Sequence, residues 1–240
     1  VTQERIEELR KRLDPKAPVN TDFEPRVMTA LFQEWFARHA SSPKVFGWVA
    51  LGLTMLYLIF LRREEVVLFT TGLANMGVEM LVIFTFQVMY GYIYLKLGAI
   101  VTAFLVGLLP GALFGNLFKG RGRIPFIVSE IILFSLLVVF YVGISFSEGD
   151  IPQFYFLGYG FVFSFFCGYQ FPLAAGLIGE KESPAAGCLA ADFTGAAVGT
   201  LATGAILIPL LGIQMAIIFL ILVKISSNVL VLFPRGRAAP

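Results

Sequence analysis

The stretch "GCLAADFTGAAVGT", residues 187–200, decides what kind of chain this is. Gly187, Ala191, Gly195 and Gly199 recur at every fourth position, so on a helix they form one ladder of small residues. Almost everything around them is small or apolar, yet Asp192 stands three residues before Gly195 and seven before Gly199, bordering the ladder. Small residues let helix backbones approach closely in lipid, where packing replaces the missing hydrophobic drive. The stretch therefore reads as a membrane helix whose close neighbour can supply partners for a carboxylate.

The same device recurs upstream. Gly107, Gly111 and Gly115 form a second ladder, with Pro110 inside it as an expected kink. The composition agrees: 58% of the 240 residues are hydrophobic, 14% are charged, and the mean hydropathy is +0.82. Seven apolar runs lie beyond Lys44, at 45–61, 66–90, 97–118, 124–146, 154–178, 185–210 and 212–232. A bilayer core of about 30 Å asks for about 20 helical residues, and most of the runs meet that. The first is marginal, and the last two leave room only for a tight turn at 209–212. Backbone polar groups find no water in lipid, so helices must carry the spans. The expected fold is all-α: a polytopic bundle of about seven transmembrane helices over 44–240, after a short amphipathic soluble segment, 1–43.

That leading segment differs in kind. "TQERIEELRKRL" reads as a short helix with Ile6, Leu9 and Leu13 on one face, and Pro15, Pro18 and Pro25 make residues 14–26 loop-like. A second helix, 26–40, carries Val27, Leu31 and Trp35 on its apolar side, suited to the lipid–water boundary or to a soluble domain. No secretory signal is visible, and a start at Val1 within an amphipathic stretch reads as the continuation of something longer.

Lysine and arginine in short loops set orientation. Arg62, Arg63, Lys119, Arg121, Arg123, Lys181, Arg235 and Arg237 collect on one side. The other side has Lys96, and none in "SEGDIPQ" or at 209–212. The first side is expected to be cytoplasmic, in a bacterial inner membrane. Seven spans then put the C-terminus inside and residues 1–43 outside, and a count wrong by one would move one end.

Polar residues inside the spans are the candidate functional groups: Asn75, Glu79, Gln87, Asp192 and Lys224. Asn75 and Glu79 share a helical face with Gly72. A carboxylate at that depth costs several kcal/mol on insertion scales unless paired, protonated or hydrated. It marks either a proton or cation site or a hydrogen-bonded group holding helices together, and Glu79 and Asp192 are placed to share a proton if they meet. Lys224 is expected to snorkel or pair with an acid. Glu130, near the start of its run, is expected at the headgroups. The net charge of +2 gives no argument for nucleic acid. His39 is the only histidine and lies outside the spans, so bis-histidine haem ligation within them is unavailable. Cys167 and Cys188 have no metal-ligand spacing and read as buried thiols. No metal or cofactor is called for, and no phosphate-binding loop or nucleophile elbow appears.

Four blocks resemble the membrane portion of the fused spermidine/spermine synthase-like proteins of bacteria. They are "VNTDFEPRVMT" (19–29), "TGLANMGVEMLVIFTFQVMYGYIYLKLG" (71–98), "GYQFPLA" (168–174) and "AAGCLAADFTGAAVGTLATGAILIPLLG" (185–212). The resemblance implies a helical bundle that carries or follows an aminopropyltransferase-like domain, whose catalytic machinery has no counterpart in this chain. No catalytic residue is carried over. A cytoplasmic aminopropyl donor sits awkwardly with residues 1–43 outside.

Three roles are expected in order of preference. The first is a non-catalytic module that anchors or organises a synthase-like domain or partner subunits in the lipid bilayer, with Glu79 and Asp192 stabilising the bundle. The second is an amine or proton-coupled transporter, against which the sequence shows no inverted repeat of comparable halves. The third is a scaffold subunit of an electron-transfer complex.

Overall fold

The computed structural model describes Glu34 and residues 43–91, 94–146, 151–179 and 184–232. The expectations for the leading segment, for His39, and for Lys181, Arg235 and Arg237 lie outside them, save that Glu34 is helical. Among the described residues the secondary structure is helical throughout: α1 (Pro43–Phe60), α2 (Arg63–Tyr90), α3 (Tyr94–Phe118), α4 (Ile124–Phe146), α5 (Gln153–Ile178), α6 (Pro184–Thr200), a π-helical turn (Leu201–Leu207) and α7 (Ile208–Leu232).

The boundaries have local causes. At the start of α2, Glu65 reaches back to accept the Arg62 N–H at 2.7 Å, and Glu64 and Glu65 lie where the helix dipole favours negative charge. Its end is Gly91, at φ 76°, whose N–H caps the Gln87 carbonyl. Pro110 and Pro172 lie inside α3 and α5, which continue through them as helices.

Five helices are long and apolar enough to cross a membrane: α2, α3, α4, α5 and the continuous stretch Pro184–Leu232. The expected count of seven is not reached on that criterion, for two reasons. First, the apolar part of α1 that the criterion counts is short, Gly47–Phe60. Second, the last two runs join into one stretch of 49 residues. At 1.5 Å per residue that stretch would be about 73 Å long if straight, against a hydrocarbon core of about 30 Å. It is not straight. Gly212 adopts φ 83°, ψ 172°, a conformation that suits glycine. A Cβ at Gly77 of α2 would meet Leu220 Cδ1 at 2.9 Å and Thr203 Oγ1 at 3.0 Å. Leu220 and Thr203 are 17 residues apart, about 25 Å along a straight helix. Both touch one residue because the chain doubles back at Gly212, at the turn expected from 209–212.

Two parallel helix pairs dominate the packing: α3 with α5, and α2 with α6. In the first, Gly107, Gly111 and Gly115 lie against the carbonyl oxygens of Phe161, Phe165 and Tyr169. In the second, Gly195 and Gly199 lie against those of Phe69 and Leu73, and Thr203 faces Gly77. A side chain at these glycines would occupy the neighbour's backbone; at Gly111, for instance, a Cβ would stand 3.0 Å from the Phe165 Cα. Gly187 departs from the ladder, because its neighbour is the Glu65 side chain rather than a backbone.

The two registers match. Adding 88 takes Gly107, Gly111 and Gly115 to Gly195, Gly199 and Thr203. Adding 92 takes Phe69, Leu73 and Gly77 to Phe161, Phe165 and Tyr169. The triad α2–α3–α4 thus recurs as α5–α6–α7 with every helix reversed. Most of the remaining contacts obey the same exchange: α2 packs on α7 as α5 packs on α4, while the α2/α5 and α4/α7 contacts map onto themselves. The expectation of no inverted repeat is therefore corrected. Apart from the glycine ladders, almost no side-chain identity is shared by the halves, which is why the sequence hides the repeat.

The ends of the bundle are chemically distinct. Arg123 Nη2 lies 3.2 Å from Glu64 Oε1, joining the starts of α4 and α2. A shallow concavity there is lined by Arg63, Arg123, Leu177 and Val231, so the ends of α5 and α7 share this face. At the opposite end Tyr90 donates to the Ile151 carbonyl and Lys96 to Gln153.

Candidate functional site

The buried residues of α4 are Phe126, Ser129, Glu130, Leu133, Leu137, Phe140 and Ile144, a stripe at intervals of three and four. Those of α7 include Ile213, Ile217, Leu220, Lys224, Ser227 and Val231 at the same spacing. Each inward stripe carries one charge, of opposite sign, and the two helices pack together.

Lys224 and Glu130 meet there, both side chains fully buried. Lys224 Nζ donates to Glu130 Oε1 and Oε2, each at 2.8 Å, and to Thr71 Oγ1 at 3.0 Å. Thr71 Oγ1 is 2.6 Å from Gln170 Oε1, and Gln170 Nε2 donates to Glu130 Oε2 at 2.6 Å. The ring therefore closes through four helices: α7, α2, α5 and α4. The ammonium uses all three donors, and the glutamine uses both ends of its amide. Beside it Thr70 Oγ1 reaches Ser227 Oγ at 2.9 Å, a second tie between α2 and α7. The four ring residues lie six to eight positions from the basic ends of their helices, about 9–12 Å inward. Of the two outcomes expected for Lys224, snorkelling or pairing with an acid, the structure shows the pairing, and Glu130 is not at the headgroups. It has 0% exposure because its place on the α4 stripe turns it inward, whatever its distance from the loop.

The other candidate residues are not members of this ring, although Asp192 lies beside it, against the residue that follows Thr71 and within electrostatic reach of Lys224. Asn75 Oδ1 accepts from Ser164 Oγ at 3.2 Å across the α2/α5 contact that maps onto itself. Asp192 lies against Gly72, its Oδ1 2.8 Å from where a Cβ would stand. Glu79 is seven residues further along α2, about 10 Å, and buried at 7% exposure. Asp192 and Glu79 therefore do not share a proton. No hydrogen bond or ion pair among the described residues reaches either carboxylate. Gln87 is half-buried near the far end of α2, where its backbone carbonyl accepts the Gly91 N–H.

Among the described residues, no three of the His, Cys, Asp and Glu side chains converge as a metal would require, and Cys167 and Cys188 are buried and unpaired. Thr71 and Gln170 do not stand out in the sequence, because neutral polar side chains are common in such runs. Gln170 is visible there only as part of "GYQFPLA". The signal that finds Glu130 and Lys224 is the pair of inward stripes, each with one charge. Comparison with protein-family models, curated proteins and solved structures finds no match.

Proposed function

We propose that the chain is a non-catalytic integral membrane module that anchors or organises a synthase-like domain or partner subunits in a bacterial inner membrane. In this reading it crosses the bilayer seven times. The first crossing is α1, and the two arms about Gly212 count separately. The basic end faces the cytoplasm.

The observation that supports a structural role is the closed ring of Lys224, Glu130, Gln170 and Thr71. Each side-chain nitrogen and hydrogen-bonding oxygen of the ring has a partner within it, and the ring ties both halves of the repeat together. α1 adds a face suited to lipid or to a partner, with Trp48, Ile59 and Phe60 largely exposed. Isolation of the chain with its partners in mild detergent tests the reading. Asp192→Asn is expected to leave partner recovery and any activity of the assembly unchanged. Loss of activity with the assembly intact contradicts it.

One observation favours a second reading, an amine or proton-coupled carrier. Inverted repeats build many secondary transporters, whose substrate and ion sites lie at the repeat interface near mid-bilayer. No structural feature favours the electron-transfer scaffold.

A further inference from the structure

The basic end of the bundle gathers its charges by packing. Five cations, Arg62, Arg63, Lys119, Arg121 and Arg123, stand there against two carboxylates, Glu64 and Glu65, among the described residues. The stem of Lys119 lies over Gly176 of α5, its Cγ 2.8 Å from where a Cβ would stand. The Arg121 guanidinium sits 4.5 Å from the centre of the Phe118 ring. Arg123 engages Glu64 through one nitrogen, and its side chain remains 46% exposed. A guanidinium carries five N–H donors, so this contact leaves most of them for a further acceptor.

The shallow concavity at this end joins charge to apolar wall. Arg63, Glu64 and Arg123 line it together with Val67, Phe126, Leu177 and Val231. Val67, Phe126 and Val231 are members of an apolar cluster separate from the main core, and Leu177 packs on that cluster. Helices α2 and α4 begin here and α5 and α7 end here, so in a bilayer the concavity lies where hydrocarbon meets headgroups. Ile124, Val128, Val229 and Leu232, around the same end of α4 and α7, are exposed, which brings acyl chains to its side. The excess of cations selects an anion. So shallow a hollow holds a free ion in water poorly, whereas a headgroup tethered by its own chains is present at high effective concentration. Basic pockets between transmembrane helices bind anionic headgroups by this combination of charge and depth.

We infer that this concavity binds one anionic phospholipid, its phosphate at Arg123 and Arg63 and the first carbons of its chains against Phe126 and Val231. Glu64 sets the strength of the site, because it competes with the phosphate for Arg123. The site does not rest on the module reading, which partner recovery tests separately.

The test is native mass spectrometry of the full chain released from detergent micelles, titrated with phosphatidylglycerol or with phosphatidylcholine of identical acyl chains. The first phosphatidylglycerol is expected to bind about fivefold or more tighter than phosphatidylcholine. Arg123→Gln is expected to weaken phosphatidylglycerol by about fivefold, the worth of one arginine near an anionic surface. Glu64→Gln frees Arg123 and is expected to strengthen it. Lys96→Gln, at the opposite end, is expected to leave it unchanged. The lipid comparison uses the unaltered chain, so it stands even where a variant folds poorly. Equal affinity for the two lipids, equal losses in Arg123→Gln and Lys96→Gln, or failure of Glu64→Gln to strengthen binding overturns the site. Displacement of phosphatidylglycerol by millimolar inorganic phosphate would make it a site for a free anion and contradict the inference.

Discussion

At the scale of the residue, the bundle rests on how it treats charge. Lys224 and Glu130 are fully buried, and each has the other, together with Gln170 and Thr71, as hydrogen-bond partners. Removing one member leaves the other uncompensated, which in buried pairs costs about 3–5 kcal/mol. Lys224→Met or Glu130→Leu alone is therefore expected to destabilise the chain by about that much in reversible unfolding from mixed micelles. The double replacement should recover most of the loss, since an apolar pair needs no partner. Equal losses in the single and double variants would show that shape rather than charge holds this contact. The sequence left Lys224 two outcomes, snorkelling to an interface or pairing with an acid. It did not announce which acid, because distance from a loop and direction on a helix are independent, and Glu130 combines a near-terminal position with an inward one.

At the scale of the element, glycine sets how near helices come. Gly111 and Gly195 lie in the two parallel pairs, each against a backbone carbonyl of the facing helix. Valine at either position must force the pair apart, with an overpacking cost of about 1–3 kcal/mol. Gly158 on α5 has no atom within 4 Å of the Cβ position. Gly158→Ala is expected to be neutral or to stabilise by up to about 1 kcal/mol through helix propensity. Thermal melts of Gly111→Val, Gly195→Val and Gly158→Ala in one detergent separate packing from propensity, and similar melting temperatures for all three would contradict the ladders. Both ladders were legible at intervals of four, and the apolar runs placed the helices to within a few residues. The partners were not legible. A ladder shows that something approaches, but the parallel pairing of α2 with α6 and of α3 with α5 depends on contacts more than 50 residues apart in sequence.

At the scale of the whole molecule, the organising fact is the reversal of α2–α3–α4 in α5–α6–α7. The closed ring lies toward the basic end, and Glu79 and Asp192 occupy places that are aromatic in the other half, Phe171 and Phe104. The membrane class, the helical fold and the basic end were all present in composition and loop charge. The repeat was not, because the two halves share glycine spacing and little else. The most direct test is membrane topology by cysteine labelling, with Cys167 and Cys188 first replaced by alanine and single cysteines introduced as Gly91→Cys, Gly120→Cys, Pro152→Cys, Gly179→Cys and Gly212→Cys. An impermeant thiol reagent should label positions 120 and 179 only from the cytoplasmic face and positions 91, 152 and 212 only from the opposite face. Labelling of 212 from the same face as 179 would make the last stretch a single unreversed element, and the inverted bundle would fall.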